Sequence, residues 1–221
     1  MTKLVDMRRS STSTAACPSR RLADVAKVIF VGLASSRRAA AADEHHSVPL
    51  INVRDLSEGR VPPIERLEAR PVPKGYSADR YQVHAGDVVI TCRGSQLKVA
   101  CIAEEAHGAV LSSNLIGIRT GPDLLAPVLF AFLQSPRGQA ALLGRSRSST
   151  LGLALSPKSV GRLEVPVPPL EVQQQIAELV RAAEDHYVAA IEAAERRRML
   201  GREVANTLLR GALVSELPER S

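Results

Sequence analysis

The 221-residue chain has no Trp, three Tyr and three Phe, so aromatic residues make up only 3% of it. With 45% hydrophobic residues a core is available, but it has to be aliphatic. Nucleic-acid binding by stacking bases on aromatic side chains, the habit of single-strand and RNA binders, is thereby excluded. The three cysteines (Cys17, Cys92, Cys101) form no CxxC pair, and no pair of histidines has metal-ligand spacing. Their scarcity fits a reducing, cytoplasmic setting without a zinc site, with the adjacent His45 and His46 expected in an exposed loop. No apolar run approaches the ~18 residues needed to span a bilayer. The opening twenty residues, rich in Ser, Thr and Ala, lack the apolar stretch of a secretory signal and read as a disordered tail.

Catalytic signatures are missing as well. There is no phosphate-binding P-loop and no complete GxGxxG; Phe30-Val31-Gly32-Leu33 has a first glycine but not the second and reads as a packing feature. No Asn/Asp-Pro-Pro-aromatic tetrapeptide is present to hold a flipped base for methylation. Pro122-Asp123 lacks the downstream Glu-x-Lys of a nuclease metal site, and neither Ser95 nor Ser146 has a His and an acid placed beside it. The sequence therefore offers no catalytic residue, no metal site and no cofactor site. A binding protein is expected.

What is present is positive charge, unevenly placed. The formal net charge is +6, and over residues 1–170 there are 22 Lys and Arg against 14 Asp and Glu. Over residues 171–210 the count is 6 against 7. The excess lies on the part ahead of the final segment, as a polyanionic partner would require.

The boundary between these parts is sharp. Val165-Pro166-Val167-Pro168-Pro169-Leu170 cannot be helical, because each proline fixes φ and lacks an N–H donor. Beyond it the chain has no proline until Pro218 and carries small or apolar residues at helical spacing. A helix over 171–210 would be ~60 Å long. Its seam runs through Ile176, Val180, Ala183, Tyr187, Ala190 and Ala194, then Val204 and Leu208, in steps of three and four that imply a coiled-coil-like partner helix. Residues 171–195 carry six acids and one base; residues 196–210 carry five bases and one acid. That order matches the helix dipole, and it also suits antiparallel pairing with a second copy. A helix docked on its own domain is the other arrangement these charges allow.

Ahead of the boundary, Arg21–Leu33 enters the domain as a short helix or strand, and Val48–Val53 reads as a strand before a turn at Ser57-Glu58-Gly59. Residues 61–75, with four prolines, read as a wrapping loop. Gly86–Cys92 and Leu97–Ile102 form a hairpin around Arg93-Gly94-Ser95-Gln96, and Leu115–Arg119 adds a strand. Two short helices, Leu124–Leu133 and Arg137–Leu143, lead into a polar loop over 144–152 and a last strand, Leu163–Val167. The fold class is α+β: a globular domain of short strands and helices over 21–170, one long C-terminal helix over 171–210, and a flexible tail over 211–221.

Several phrases in this order carry a resemblance: Ile51-Asn52-Val53-Arg54-Asp55-Leu56 with Gly59; Ala85-Gly86-Asp87-Val88-Val89-Ile90-Thr91-Cys92-Arg93-Gly94; Leu111-Ser112-Ser113-Asn114-Leu115; and the proline strap leading into Gln173-Gln174-Gln175-Ile176. Together they resemble the target-recognition module of type I restriction–modification specificity subunits across roughly residues 21–210. The resemblance implies a non-catalytic reader of double-stranded DNA, one module for each half of a bipartite target. It further implies helices that act as spacers and dock the DNA methyltransferase subunits, and in some systems a nuclease. Members usually carry two modules and two spacer helices; one of each here implies a half-subunit that forms an antiparallel homodimer. The chain departs from the pattern at Val31-Gly32-Leu33-Ala34-Ser35-Ser36, where the family often has a Gly-Lys/Thr-Pro-type turn.

For DNA contact the first candidates are Arg145, Arg147, Ser148 and Thr150 in the polar loop. The second are Arg93, Ser95, Gln96 and Lys98 at the hairpin, since Arg and Gln suit base edges. A rival expectation is a protein-interaction fragment that pairs with a full-length specificity subunit through its helix and has no DNA preference of its own.

Overall fold

In the computed structural model, the structure describes residues 17–34, 45–73, 79–146 and 152–215. They form an α+β domain of several small sheets, running to Ile176 and so including the first turns of the long helix, and a second unit from Ala177 onward that is the rest of that helix. The Ala-rich stretch 37–44, the first sixteen residues and the last six lie outside the described residues.

The domain is closed at its two ends. Strand β1 (Ser19–Arg21) is paired antiparallel with β11 (Glu164–Pro166), the strand that enters the proline strap. Val167 N–H also donates to the Pro18 carbonyl at 2.9 Å. A single-turn helix α1 (Leu22–Val25) follows β1 and buries Leu22 and Val25. Next comes β2 (Ala26–Val31), the edge of a four-stranded antiparallel sheet ordered β2, β9 (Leu115–Thr120), β5 (Val88–Thr91), β7 (Val99–Cys101). All four residues of β5 are buried, which is why that segment reads as a continuous apolar run rather than an alternating one.

The core under this sheet is aliphatic, with Ile51, Leu56, Val83, Val89, Ile102, Leu111 and Leu115 in one cluster. Phe130, 4% exposed, is the one aromatic residue in the buried core among the described residues. A second, three-stranded sheet is ordered β4 (Glu68–Pro73), β3 (His45–Ile51), β8 (Val110–Leu111). Two expectations are corrected here. His45 and His46 open strand β3 instead of lying in a loop. The second half of the proline-rich stretch is strand β4, not a wrapping loop, while Ile64–Arg66 before it is a single 3-10 turn. Pro71 and Pro73 are tolerated because β4 is an edge strand, where a missing N–H costs no ladder bond on the open side.

The phrases that carried the family resemblance have structural work to do. Asp55 accepts from the Asn52 N–H at 2.7 Å and so closes the turn over Val53–Asp55. Gly86 sits at φ +83°, and Asp87 beside it accepts from the His84 N–H at 2.8 Å. Arg119 of β9 then grips the buried Asp87 with two bonds, Nε to Oδ1 at 2.9 Å and Nη2 to Oδ2 at 2.7 Å. This bidentate pair satisfies a carboxylate that would otherwise be costly to bury. Gly32 packs rather than binds: a Cβ there would lie 2.3 Å from the Leu111 and Ser112 carbonyl oxygens.

Helices α2 (Ala126–Gln134) and α3 (Pro136–Leu143) match the two short helices expected. Ser135 ends the first and caps the second, its Oγ accepting from the Gly138 N–H at 3.1 Å, with Pro136 at the favoured first helical position. A further short helix, α4 (Pro157–Gly161), is capped by Ser156 and Ser159. The last element, α5, runs over Leu170–Ser215, 46 residues, or ~69 Å at 1.5 Å per residue.

Candidate nucleic-acid interface

The two segments singled out for DNA contact, about fifty residues apart in sequence, are brought together by a small sheet. Arg93–Gly94 forms β6, which pairs antiparallel with β10 (Leu153–Ala154): Gly94 faces Leu153 and Arg93 faces Ala154. The Leu155 N–H donates to the Cys92 carbonyl at 2.9 Å, extending the contact by one residue. The expected hairpin exists, with β5 and β7 paired, but the first half of its connection is a strand that belongs to a second partnership. Sequence spacing could not show this, because β10 is two residues long and lies far along the chain.

Each arm is anchored at its base. In the hairpin, the Thr91 N–H donates to the Lys98 carbonyl at 3.0 Å, and the Lys98 N–H donates back to Thr91 Oγ1 at 3.2 Å. The Cys92 N–H donates to the Asn114 carbonyl at 2.8 Å. Cys92 itself is 1% exposed, and burial raises its thiol above the ordinary value, opposed in part by the charge of Arg93. In the other arm, Arg145 and Ser146 continue the last turn of α3, their N–H groups donating to Leu142 and Leu143. Ser146 Oγ then accepts from the Ala154 N–H at 2.9 Å, linking the end of α3 to β10.

The candidates differ in what their side chains face. Arg93, Ser95, Gln96 and Arg145 are exposed. Among the described residues no carboxylate pairs with Arg93 or Arg145. Lys98 is half-buried, and its Nζ donates to the Val53 carbonyl at 3.2 Å and the Leu56 carbonyl at 2.8 Å. There it neutralises the C-terminal end of the Val53–Asp55 turn, as cations do at helix ends. Arg147, Ser148 and Thr150 lie outside the described residues. The candidates that remain are exposed Arg93, Ser95 and Gln96 on one arm and exposed Arg145 on the other. The two arms are linked through Ala154, which pairs with Arg93 and bonds Ser146; this linked pair of arms is called the ridge below. Among the described residues, no group of three His, Cys, Asp or Glu side chains is placed to hold a metal.

Sequence reasoning missed Gln173. It is 3% exposed, and its amide makes three bonds. Nε2 donates to the carbonyls of Asp123 (3.0 Å) and Pro168 (2.9 Å), and Oε1 accepts from the Leu125 N–H (2.8 Å). It joins the proline strap to the turn ahead of α2. The Gln-rich run had signalled a helix start, but only its first member is buried, and nothing in the run itself distinguishes that residue.

The seam residues of α5 differ along its length. Ile176 and Val180 are half-buried; Ala183, Tyr187, Ala190, Ala194, Val204 and Leu208 are exposed. Large apolar side chains off that seam are exposed too, among them Leu179 (71%), Ile191, Met199 and Leu200. Arg196 and Glu192 pair at 3.2 Å one turn apart on the same face. No helix among the described residues is long and apolar enough to cross a membrane.

No protein-family model and no curated protein sequence matches the chain. Solved structures do. The HsdS subunit from Thermoanaerobacter tengcongensis matches over 94% of this chain with a TM-score of 0.54 at 16% identity. A chain from the assembled type I R-M system matches over 88% with a TM-score of 0.58 at 18% identity. The chain spans about half the length of each, 51% and 45%. Its fold is that of one half of such a subunit.

Proposed function

We propose that the chain is a non-catalytic, sequence-specific reader of double-stranded DNA in a type I restriction–modification system. It reads one half of a bipartite target and recruits the methyltransferase subunit. The observation that supports this most is the β6–β10 pairing, which joins two exposed arginine-bearing arms on one ridge of the fold found in HsdS. Neither arginine has a carboxylate partner among the described residues, so both are free to meet phosphates or guanine edges. Positive excess on the domain that carries them supplies the salt-dependent part of the affinity.

The long helix completes the reading. Exposed Leu179, Ile191, Met199, Leu200, Val204 and Leu208 favour a helical partner, and the acid-then-base order favours an antiparallel second copy. Two-fold pairing would present two identical readers, and so an interrupted palindromic target.

Selection from a randomised duplex pool, with the whole chain and a cognate methyltransferase subunit, tests the DNA reading. Enrichment of a split, symmetric sequence is the expected result. Co-purification with the partner but no enrichment would favour the protein-interaction fragment instead. Light scattering of V204E/L208E tests the pairing separately: both side chains are exposed, so folding is preserved while a helix-mediated dimer becomes monomer.

A further inference from the structure

Beyond β10 the chain turns through Ser156 into α4, and α4 forms one wall of a cleft of about 420 Å³ against α1 and β2. Four bases line it (Arg21, Lys27, Lys158 and Arg162) with Asp24 as the one acid. The bases come from three separate elements, so their convergence is a product of the fold and is invisible in the sequence. The wall is fixed in place. Ser156 and Ser159 close α4 reciprocally, Ser159 N–H to Ser156 Oγ at 3.1 Å and Ser156 N–H to Ser159 Oγ at 3.0 Å. Gly161 is buried so close to the opposite wall that a Cβ there would lie 3.2 Å from Ala23 Cβ.

The charges in this cleft are only partly offset from within, four bases facing the single acid Asp24. Neighbouring Arg20 is committed to Asp123 at 2.7 Å, and Arg21 has only a long contact of 3.9 Å to Glu164. Lys27, Lys158 and Arg162 have no carboxylate partner among the described residues. Three cations without an ion-pair partner around one concavity, with Asp24 as the one acid, leave a net positive surface that an added anion would offset. The lining has no aromatic side chain to stack a base, which argues for phosphate alone rather than a nucleotide.

We infer that this cleft is a second DNA contact, gripping backbone phosphates beside the segment that the reading ridge engages. The inference rests on the reading proposed above. Lys158 is four residues from Ala154 of β10, so their Cα atoms are at most ~14 Å apart. One turn of duplex spans ~34 Å, so a single DNA segment is long enough to engage both the ridge and the cleft. The two sites then divide the work. Lysines on flexible stems add affinity without sequence preference, and the ridge supplies the preference.

The experiment compares the full-length K27Q/K158Q/R162Q variant with wild type, on the duplex that selection enriches and on a scrambled one, across a salt series. The expected result is weaker binding to both duplexes and a log–log salt dependence shallower by about 2 to 3, with discrimination unchanged. Should the triple variant lose thermal stability, K158E alone is measured, with a slope reduction of about 1 or more expected. A wild-type slope in these variants, while R93Q/R145Q alters discrimination, would overturn the cleft and leave the reader intact. Loss of discrimination with an unchanged slope would also overturn it. Absence of any duplex binding by wild type would remove the reader, and the cleft with it.

Discussion

Gly152 and Gly94 approach so closely that a Cβ on Gly152 would lie 2.7 Å from the Gly94 carbonyl oxygen. Both residues have positive φ, +103° and +134°, which side chains adopt only with strain. This contact lies where β6 meets β10, and it holds the two arms of the ridge together. G152V should therefore separate the arms while leaving the main sheet in place. The expected outcome is a thermal midpoint within a few degrees of wild type together with loss of sequence discrimination by a selected duplex. Retained discrimination would show that the arms act independently.

Gln173 offers a test of the strap. Replacing it with Ala leaves the Leu125 N–H and the Asp123 and Pro168 carbonyls without their side-chain partner in a buried setting. Each unsatisfied group costs about 1–3 kcal/mol, so Q173A should lose at least ~2 kcal/mol in denaturant unfolding. Q174A and Q175A, at exposed neighbours, should fall within about 0.5 kcal/mol of wild type. Equal effects at all three positions would mean the run is a generic helix start.

Cys92 makes stability pH-dependent in a defined direction. Burial raises its thiol, so on raising the pH the unfolded chain loses its proton first. Its contribution is intact below the unfolded thiol's value and is lost as pH climbs from there through the raised folded value. Wild type should thus lose more stability than C92A between neutral pH and the alkaline thiol range, as followed by denaturant unfolding at each pH. Parallel curves would mean that the thiol ionises equally easily in the two states.

The residues legible in the sequence were those with local roles. Asn52 and Asp55 close a turn three residues long, Gly86 and Asp87 build another, and the prolines ahead of α5 stop one element and start the next. Such features repeat wherever the same local geometry is needed, so they carry both fold and resemblance. Strand β4 was not legible, because Pro71 and Pro73 read as breakers unless the strand is known to be an edge. Nor was the union of the arms: Arg93 and Ala154 pair through two-residue strands with no periodicity to detect. Lys98 looked like a surface base, and only the fold brings the Val53 and Leu56 carbonyls within its reach. Its neighbours Ser95 and Gln96 are exposed.

The reading ridge stands or falls on Arg93 and Arg145. The direct measurement is competition between the selected duplex and a scrambled one for R93Q/R145Q, beside wild type, at a single salt concentration. A good arginine–base pair is worth about 1–3 kcal/mol, so discrimination should fall roughly tenfold or more while the fold, followed by circular dichroism, is retained. Unchanged discrimination in a folded R93Q/R145Q protein would contradict the assignment of DNA reading to this ridge.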